Sequence, residues 1–167
     1  MTSLLLYRIA ILDTCAAAIA VWAHAQGFVA PIFLEDSSYL SYAILGLFGV
    51  AKISLYWRAA KVSDALNDFH SKSYSRGWLQ RKASKMATKA EHIDDIADWL
   101  QILGLLGTVI GFYMAIGGIN TDDTAAVTDG LRTAIGTTIV GGFLSLWLKA
   151  NYRMLTTATD CYLEDVA

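Results

Sequence analysis

The chain lacks the residue patterns on which most enzymes and metal proteins depend. Its two cysteines, Cys15 and Cys161, have no CxxC or metal-type neighbours, so no disulfide framework is predicted and both are expected to be free thiols. Its three histidines lie in separate segments: His24, His70 and His92. There is no phosphate-binding glycine loop followed by lysine and no Ser-His-Asp pattern. The sequence therefore predicts no metal site, no cofactor and no covalent catalysis.

Charge is also scarce, at 17% of the 167 residues, whereas 55% are hydrophobic. Such a chain is too apolar for an ordinary soluble domain. Four apolar runs are long enough to cross a bilayer, at about 4–25, 38–57, 99–119 and 130–150. We therefore predict an all-α integral membrane protein, a single domain over 1–167 with four transmembrane helices and the lipid bilayer as its surroundings.

Lysine and arginine are missing from two hydrophilic segments, 26–37 and 120–129. The charged residues of these segments are all acids: Glu35, Asp36, Asp122, Asp123 and Asp129. Eight of the thirteen lysines and arginines lie between Arg58 and Lys89. Because positive residues favour the cytoplasmic side, we predict that both termini and the 58–98 segment are cytoplasmic and that the two acidic segments are outside.

The cytoplasmic 58–98 segment contains nearly as many acids as cations, so nucleic acid is not predicted as a partner. From Trp78 to Trp99, apolar positions alternate with charged ones as in an amphipathic helix that runs into the membrane. We predict a short helical loop of roughly two helices, divided near 73–77.

The third and fourth apolar runs share a helical stripe of small residues at steps of three and four. The stripe of the third run is Gly104, Thr108, Gly111, Ala115 and Gly118, and that of the fourth is Gly130, Ala134, Thr138, Gly141 and Ser145. Small residues at this spacing share one helix face and allow close helix contact. The stripes are either ordinary packing faces or surfaces around an axis shared by several copies. In the second case Thr108 and Thr138 are the polar groups at mid-depth that an ion path needs.

Two of the ionisable residues inside the first two runs, Asp13 and Lys52, lie at similar depths. Asp13 is about nine residues from the cytoplasmic end of the first run, and Lys52 about five residues from that of the second. At ~1.5 Å per residue their depths differ by only ~6 Å, within reach of a lysine side chain. We predict a structural ion pair, with proton conduction by Asp13 as the alternative.

Two motifs in the second half resemble the MotA/TolQ/ExbB proton-channel family. They are LGLLGTVIG at 103–111 and GLRTAIGTTIVG at 130–141, joined by a short acidic segment, and the resemblance extends over about 97–152. The resemblance implies a homopentamer in the bacterial inner membrane, with the two motif helices around a central pore. It also implies a dimer of an ExbD/TolR/MotB-like partner in that pore, each copy with one membrane helix and one essential aspartate. By position, Thr108 and Thr138 are then pore threonines, and Thr137 could share that role.

The chain differs from the family pattern at three places. Ser145-Leu146-Trp147 stands where many members have Ala-Ile-Pro, Thr133 stands where some have a pore glutamate, and the cytoplasmic loop is short. We expect the ring subunit of a proton-driven channel or motor that couples ion-motive force to mechanical work, with sodium as an alternative ion. A non-conducting membrane scaffold is the main alternative, and a holin-like permeabilising protein is a third.

Overall fold

The computed structural model describes the backbone of residues 2–34, 38–71 and 76–166 and the side chains of 6–33, 38–61 and 91–157. Helices account for nearly all of these residues, and none of them is in a strand. The helices are α1 (Thr2–Ala25), α2 (Val29–Leu34), α3 (Leu40–Ser71), α4 (Arg76–Asn120) and α5 (Thr124–Val166). The all-α prediction is confirmed. The predicted outer acids Glu35 and Asp36 and the side chains of His70 and Cys161 lie outside the described residues.

Four of the helices contain a segment long and apolar enough to cross a membrane. The segments are Leu6–Ala25, Leu40–Lys61, Glu91–Asn120 and Thr124–Thr157. They coincide with the four apolar runs of the sequence, although the last two are longer than the runs. The four predicted spans are thus present in the structure as candidate membrane helices.

The segment between the second and third spans is helical on both sides of 72–75, as the predicted pair of helices requires, but the two helices are continuous with the spans and are not short separate elements. Instead, α3 continues from its span to Ser71, and α4 begins at Arg76 and runs into the next span without a break. No glycine or proline lies between Trp57 and Ser71, and Gly77 is the single one between Arg76 and Asp98. Without these residues nothing ends either helix at the membrane surface. Residues 73–75 of the predicted division lie outside the described residues.

A tight turn joins α4 to α5. Asp122 has a left-handed backbone (φ 55°), and the Asp123 N–H donates to the Gly118 carbonyl at 2.9 Å. Oδ1 of Asp123 accepts hydrogen bonds from the N–H groups of Ala125 and Ala126 at 3.0 and 3.2 Å. Asp123 is therefore the N-cap of α5, which explains why this helix begins before the apolar run at 130. We call this side of the molecule the turn end.

The core lies where α3, α4 and α5 meet, and α1 packs on its outside against α3 and α5. The largest fully buried apolar side chains are Ile9, Ile44, Leu55, Ile93, Leu100, Leu148 and Leu155. Only 6% of the α1 span is buried inside the chain. The outward face of α4 is also apolar and exposed, with Leu105, Val109, Phe112, Tyr113 and Ile116. These faces suit contact with lipid or with neighbouring chains rather than with water.

Candidate functional site

The two small-residue stripes face each other along the contact between α4 and α5. A Cβ added to Gly111 would lie 2.5 Å from both the Gly130 carbonyl oxygen and the Ala134 nitrogen. A Cβ added to Gly130 would lie 2.5 Å from the Ala115 nitrogen, and one added to Gly104 would lie 3.2 Å from the Gly141 Cα. The two backbones therefore touch, which only residues without a side chain permit.

The small stripes are thus packing faces within one chain. The residues Gly104, Gly111, Ala115, Ala134, Gly141 and Ser145 are all buried in that contact region or beside it. The packing alternative is therefore observed for these residues, because the missing side chains let the two helices of the same hairpin come together. That the stripes also border an axis shared by several copies stays a prediction.

Thr108 and Thr138 lie at the edge of this contact, and their hydroxyl groups are hydrogen-bonded to each other across it. Each hydroxyl also has a carbonyl partner on its own helix, Gly104 for Thr108 at 3.2 Å and Ala134 for Thr138 at 3.0 Å. Thr108 is half-buried and Thr138 is exposed. The pair is therefore ordered by α4 and α5 and still accessible from outside the chain.

Thr137 is in a different position. It is 1% exposed and packs against Gly107, and its hydroxyl donates to the Thr133 carbonyl at 2.8 Å. Its side chain fills the α4–α5 contact beside the hydroxyl pair rather than lying open next to it. Thr133 is likewise buried, at 3% exposed. Of Thr133, Thr137 and Thr138, therefore, Thr138 alone is exposed.

Asp13 is the centre of a second polar group, which lies between α1, α3 and α5. Its carboxylate forms an ion pair with Lys52 and accepts a hydrogen bond from the Tyr56 hydroxyl. It also accepts from Trp147 Nε1 at 2.6 Å and from Asn151 Nδ2 at 2.7 Å. The side chains of Asp13 and Lys52 are only 14% and 13% exposed. We call these five residues the Asp13 network.

Aromatic rings surround the cation of the Asp13 network. Lys52 Nζ lies 5.9, 5.3 and 5.1 Å from the ring centroids of Phe48, Tyr56 and Trp147. At these distances each ring attracts the ammonium group through a cation–π interaction. This attraction adds to that of the carboxylate and offsets part of the cost of burying the charge. An ion pair removed from water is costly unless such partners satisfy it. The network thus holds both charges and ties the first helix to the third and fifth.

Sequence reasoning identified Asp13 and Lys52 but missed Tyr56, Trp147 and Asn151. A usable signal was present: Tyr56 lies four residues after Lys52, and Asn151 four residues after Trp147. Each pair occupies one helix face. What the sequence could not supply is that both faces meet Asp13, which is a matter of tertiary packing.

The hydroxyl pair and the Asp13 network lie on opposite sides of α5. Trp147 follows Thr138 by nine residues, two and a half turns of helix, which places it ~14 Å along the axis and about half a turn around it. Thr138 faces α4, whereas Trp147 faces α1 and α3. A path along the α4–α5 hydroxyls therefore does not include Asp13 within one chain.

Comparison with known proteins identifies one relationship. The sequence profile of the MotA/TolQ/ExbB proton channel family matches residues 50–166, which include most of α3 and all of α4 and α5. Searches among curated proteins and among solved structures found no significant match. The matched residues contain the hydroxyl pair, all of the small-residue contact and four members of the Asp13 network. Asp13 itself precedes them.

Proposed function

The chain belongs to the MotA/TolQ/ExbB proton channel family, and from this premise we propose that it is the ring-forming subunit of a proton-driven channel. The ring is a homopentamer around a dimer of a single-span, ExbD/TolR/MotB-like partner whose membrane helix carries an essential aspartate. Proton passage through this assembly drives mechanical work. The chain itself supplies the wall of the path and no covalent chemistry.

The observation that carries the proposal is the hydrogen-bonded pair of Thr108 and Thr138. These two threonines come from the two motif helices, are held to each other, and keep an accessible edge on a surface that is otherwise apolar. A hydroxyl can donate to an ionised carboxylate and accept from a protonated one. A ring of such pairs would stabilise both states of a partner aspartate in a nearly dry pore.

The geometry of α4 and α5 supports an assembly of several copies. The hairpin is stiffened internally by its glycine contact, so its outward faces remain for other chains. Leu105, Val109 and Phe112 are exposed on α4, and Leu146 on α5. In an assembly these side chains would pack between neighbouring hairpins or against the helix of the partner.

We place the protein in the bacterial inner membrane with both termini and the extended ends of α3, α4 and α5 in the cytoplasm. The support is the distribution of cations described above. Lys149, which forms an ion pair with Asp98 at 2.5 Å, lies at the end of the bundle opposite the turn end. The turn end, with Asp122 and Asp123, would then be outside. Protons are the proposed coupling ion, and sodium is the alternative.

Native mass spectrometry tests this proposal. The full chain would be expressed with its neighbouring genes and purified in detergent, and the copy number and the partner would be read from the intact mass. The expected result is a pentamer that contains a pair of a small single-span protein. A complex of another copy number, or a pentamer that never contains a partner, would contradict it.

A non-conducting membrane scaffold is the second candidate, and one observation favours it. The small-residue stripes are buried inside one chain, so their spacing is explained by packing alone. A scaffold needs this packing and does not need the hydroxyl pair. Replacing Thr108 and Thr138 therefore distinguishes the two functions.

A further inference from the structure

A cavity of about 900 Å³ lies between α1, α3 and α5 near the turn end, with α2 as its roof. Its walls include Ala20 of α1, Ile32 of α2, Phe48 of α3, and Ile139, Phe143 and Trp147 of α5. The volume falls in the range of small-molecule sites, roughly 300–1,000 Å³. The cavity lies on the opposite side of α5 from the hydroxyl pair, and neither the ring nor the proton path described above uses it.

The cavity is a built feature, because specific contacts hold α2 over it. The Tyr42 hydroxyl donates to the Phe33 carbonyl at 3.1 Å, and the two rings meet edge to face at 5.6 Å. Gly136 makes room for α2 on the surface of α5, since an added Cβ would lie 3.2 Å from Ile32 Cγ2. The turn before α2 depends on Gly27, which has a φ of 78°. These contacts fix the roof to α3 and α5.

The lining of the cavity is apolar along most of its length and carries a cation at one end. Apolar side chains cover nearly all of it, and Arg132 is the cation among its lining residues. Arg132 and Thr128 lie at the turn end, and Trp147 is at the other end, beside the Asp13 network. Trp147 follows Arg132 by fifteen positions on α5, which is ~22 Å along the helix. A guanidinium at one end and a long apolar wall beyond it match an anionic head group and a hydrocarbon chain.

We propose that this cavity binds an anionic phospholipid. The phosphate of the lipid contacts Arg132 near the non-cytoplasmic surface of the inner membrane. One acyl chain lies along Ile139 and Phe143 towards Trp147. A lipid is the fitting occupant because α1, which forms one wall, is buried over only 6% of its span and presents an exposed apolar surface that suits the hydrocarbon of the bilayer. Guanidinium groups bind phosphate through paired, charge-assisted hydrogen bonds. The lipid would join α1 and α2 to α5 on the side of the bundle away from the α4–α5 contact.

Lipid titration followed by native mass spectrometry tests the proposal on the full-length complex. Palmitoyl-oleoyl phosphatidylglycerol is compared with phosphatidylcholine of the same chains, so that only the head group differs. The wild-type protein is expected to bind the anionic lipid about tenfold more tightly, because both lipids offer a phosphate to Arg132 but the choline ammonium of phosphatidylcholine cancels its net negative charge. Arg132→Gln should remove this preference, and Arg153→Gln, an exposed arginine near the opposite end of α5, should keep it.

A second pair of variants tests the chain-binding part of the cavity. Ala20→Trp fills the cavity from α1 and should abolish binding of both lipids, whereas Ala18→Trp changes an exposed α1 residue outside the cavity and should leave binding intact. If Ala20→Trp does not assemble, Ile139→Trp fills the same space from α5. An unchanged lipid preference in Arg132→Gln, or full binding in a cavity-filled variant that assembles, would overturn the proposal. So would crosslinking of an Ile139→Cys variant to another protein chain in native membranes while the purified complex retains no lipid, because a helix would then be the occupant.

Discussion

Trp147 Nε1 donates a hydrogen bond to Asp13 Oδ1 at 2.6 Å, and this contact joins the first and last helices across 134 positions of sequence. Lys52, the ion-pair partner of Asp13, has its Nζ 5.1 Å from the centroid of the same indole ring. One side chain thus serves both charges of a mostly buried ion pair. In the proposed ring, where α5 borders the pore, this contact would hold α5 to the peripheral helix α1.

Replacing Trp147 with Phe should lower stability by about 1–3 kcal/mol, the range for removing one hydrogen bond to a buried charge. Phe keeps a ring over Lys52 but has no donor for Asp13. The measurement is the thermal unfolding midpoint in detergent, together with protease sensitivity of α1. Trp99→Phe is the matched control, because Trp99 is 59% exposed and should tolerate the change. Equal midpoints for the two variants would show that the Trp147 hydrogen bond contributes nothing.

Asp13→Asn should destabilise the protein more strongly, by about 3–5 kcal/mol, because Lys52 is then left as a buried charge without its counter-ion. The double variant Asp13→Asn with Lys52→Met should recover much of this loss, since it removes both charges. Expression level and unfolding midpoint measure the effect. In a proton-flux assay, any protein that does assemble should keep its specific activity.

The opposite pattern would change the role of Asp13. If Asp13→Asn assembled with an unchanged midpoint and had no proton flux, Asp13 would belong to the conducting path. Its position argues against that outcome, because four side chains already bind its carboxylate and the network faces away from the α4–α5 hydroxyls.

Gly111→Ala should weaken the α4–α5 contact and lower stability by about 1–3 kcal/mol, the usual range for overpacking. The added methyl group would lie 2.5 Å from two backbone atoms of α5, which cannot rotate away as a side chain could. Gly117→Ala is the matched control on the same helix, since its Cβ would meet nothing within 4 Å. That control should be neutral or slightly stabilising. Intact oligomer mass and unfolding midpoint are the readouts, and a Gly111 variant as stable as the Gly117 variant would refute the close contact.

Hydropathy and spacing were enough to predict much of this fold. Four apolar runs predicted the candidate spans, and the small residues at steps of three and four predicted the helix faces that meet. The helix ends were harder, because they depend on single contacts. Asp123 caps α5 before the apolar run begins, and α3 passes its run because no residue after Trp57 breaks it. The short helix α2 was not predicted, since its contacts with Tyr42 and Gly136 come from distant parts of the chain.

The residues of the candidate site also differ in whether the sequence alone could predict them. The prediction of Asp13 and Lys52 as partners required only depth along two helices, which the sequence contains. Trp147 and Asn151 required the rotation of α5 about its axis, which follows from the glycine contact on its other face. The burial of Thr137, in contrast to Thr138 beside it, has the same origin: one residue of rotation turns a hydroxyl from the helix contact to its accessible edge.

Thr108→Val and Thr138→Val should each abolish proton flux while the ring and its partner still assemble. Valine has the shape of threonine but no hydroxyl, so the loss in stability should be small, about 0.6 kcal/mol for one hydrogen bond within a membrane. Thr14→Val is the matched control, because Thr14 is an exposed threonine on α1 that bonds only to its own helix, at the Ala10 carbonyl. Flux is measured with a pH-sensitive dye inside vesicles that contain the purified complex. Thr137→Val should retain flux, because its hydroxyl is enclosed and already bonded to the Thr133 carbonyl. If both the Thr108 and the Thr138 variants conducted like wild type, the hydroxyl pair would be a packing feature and the scaffold would be the better description.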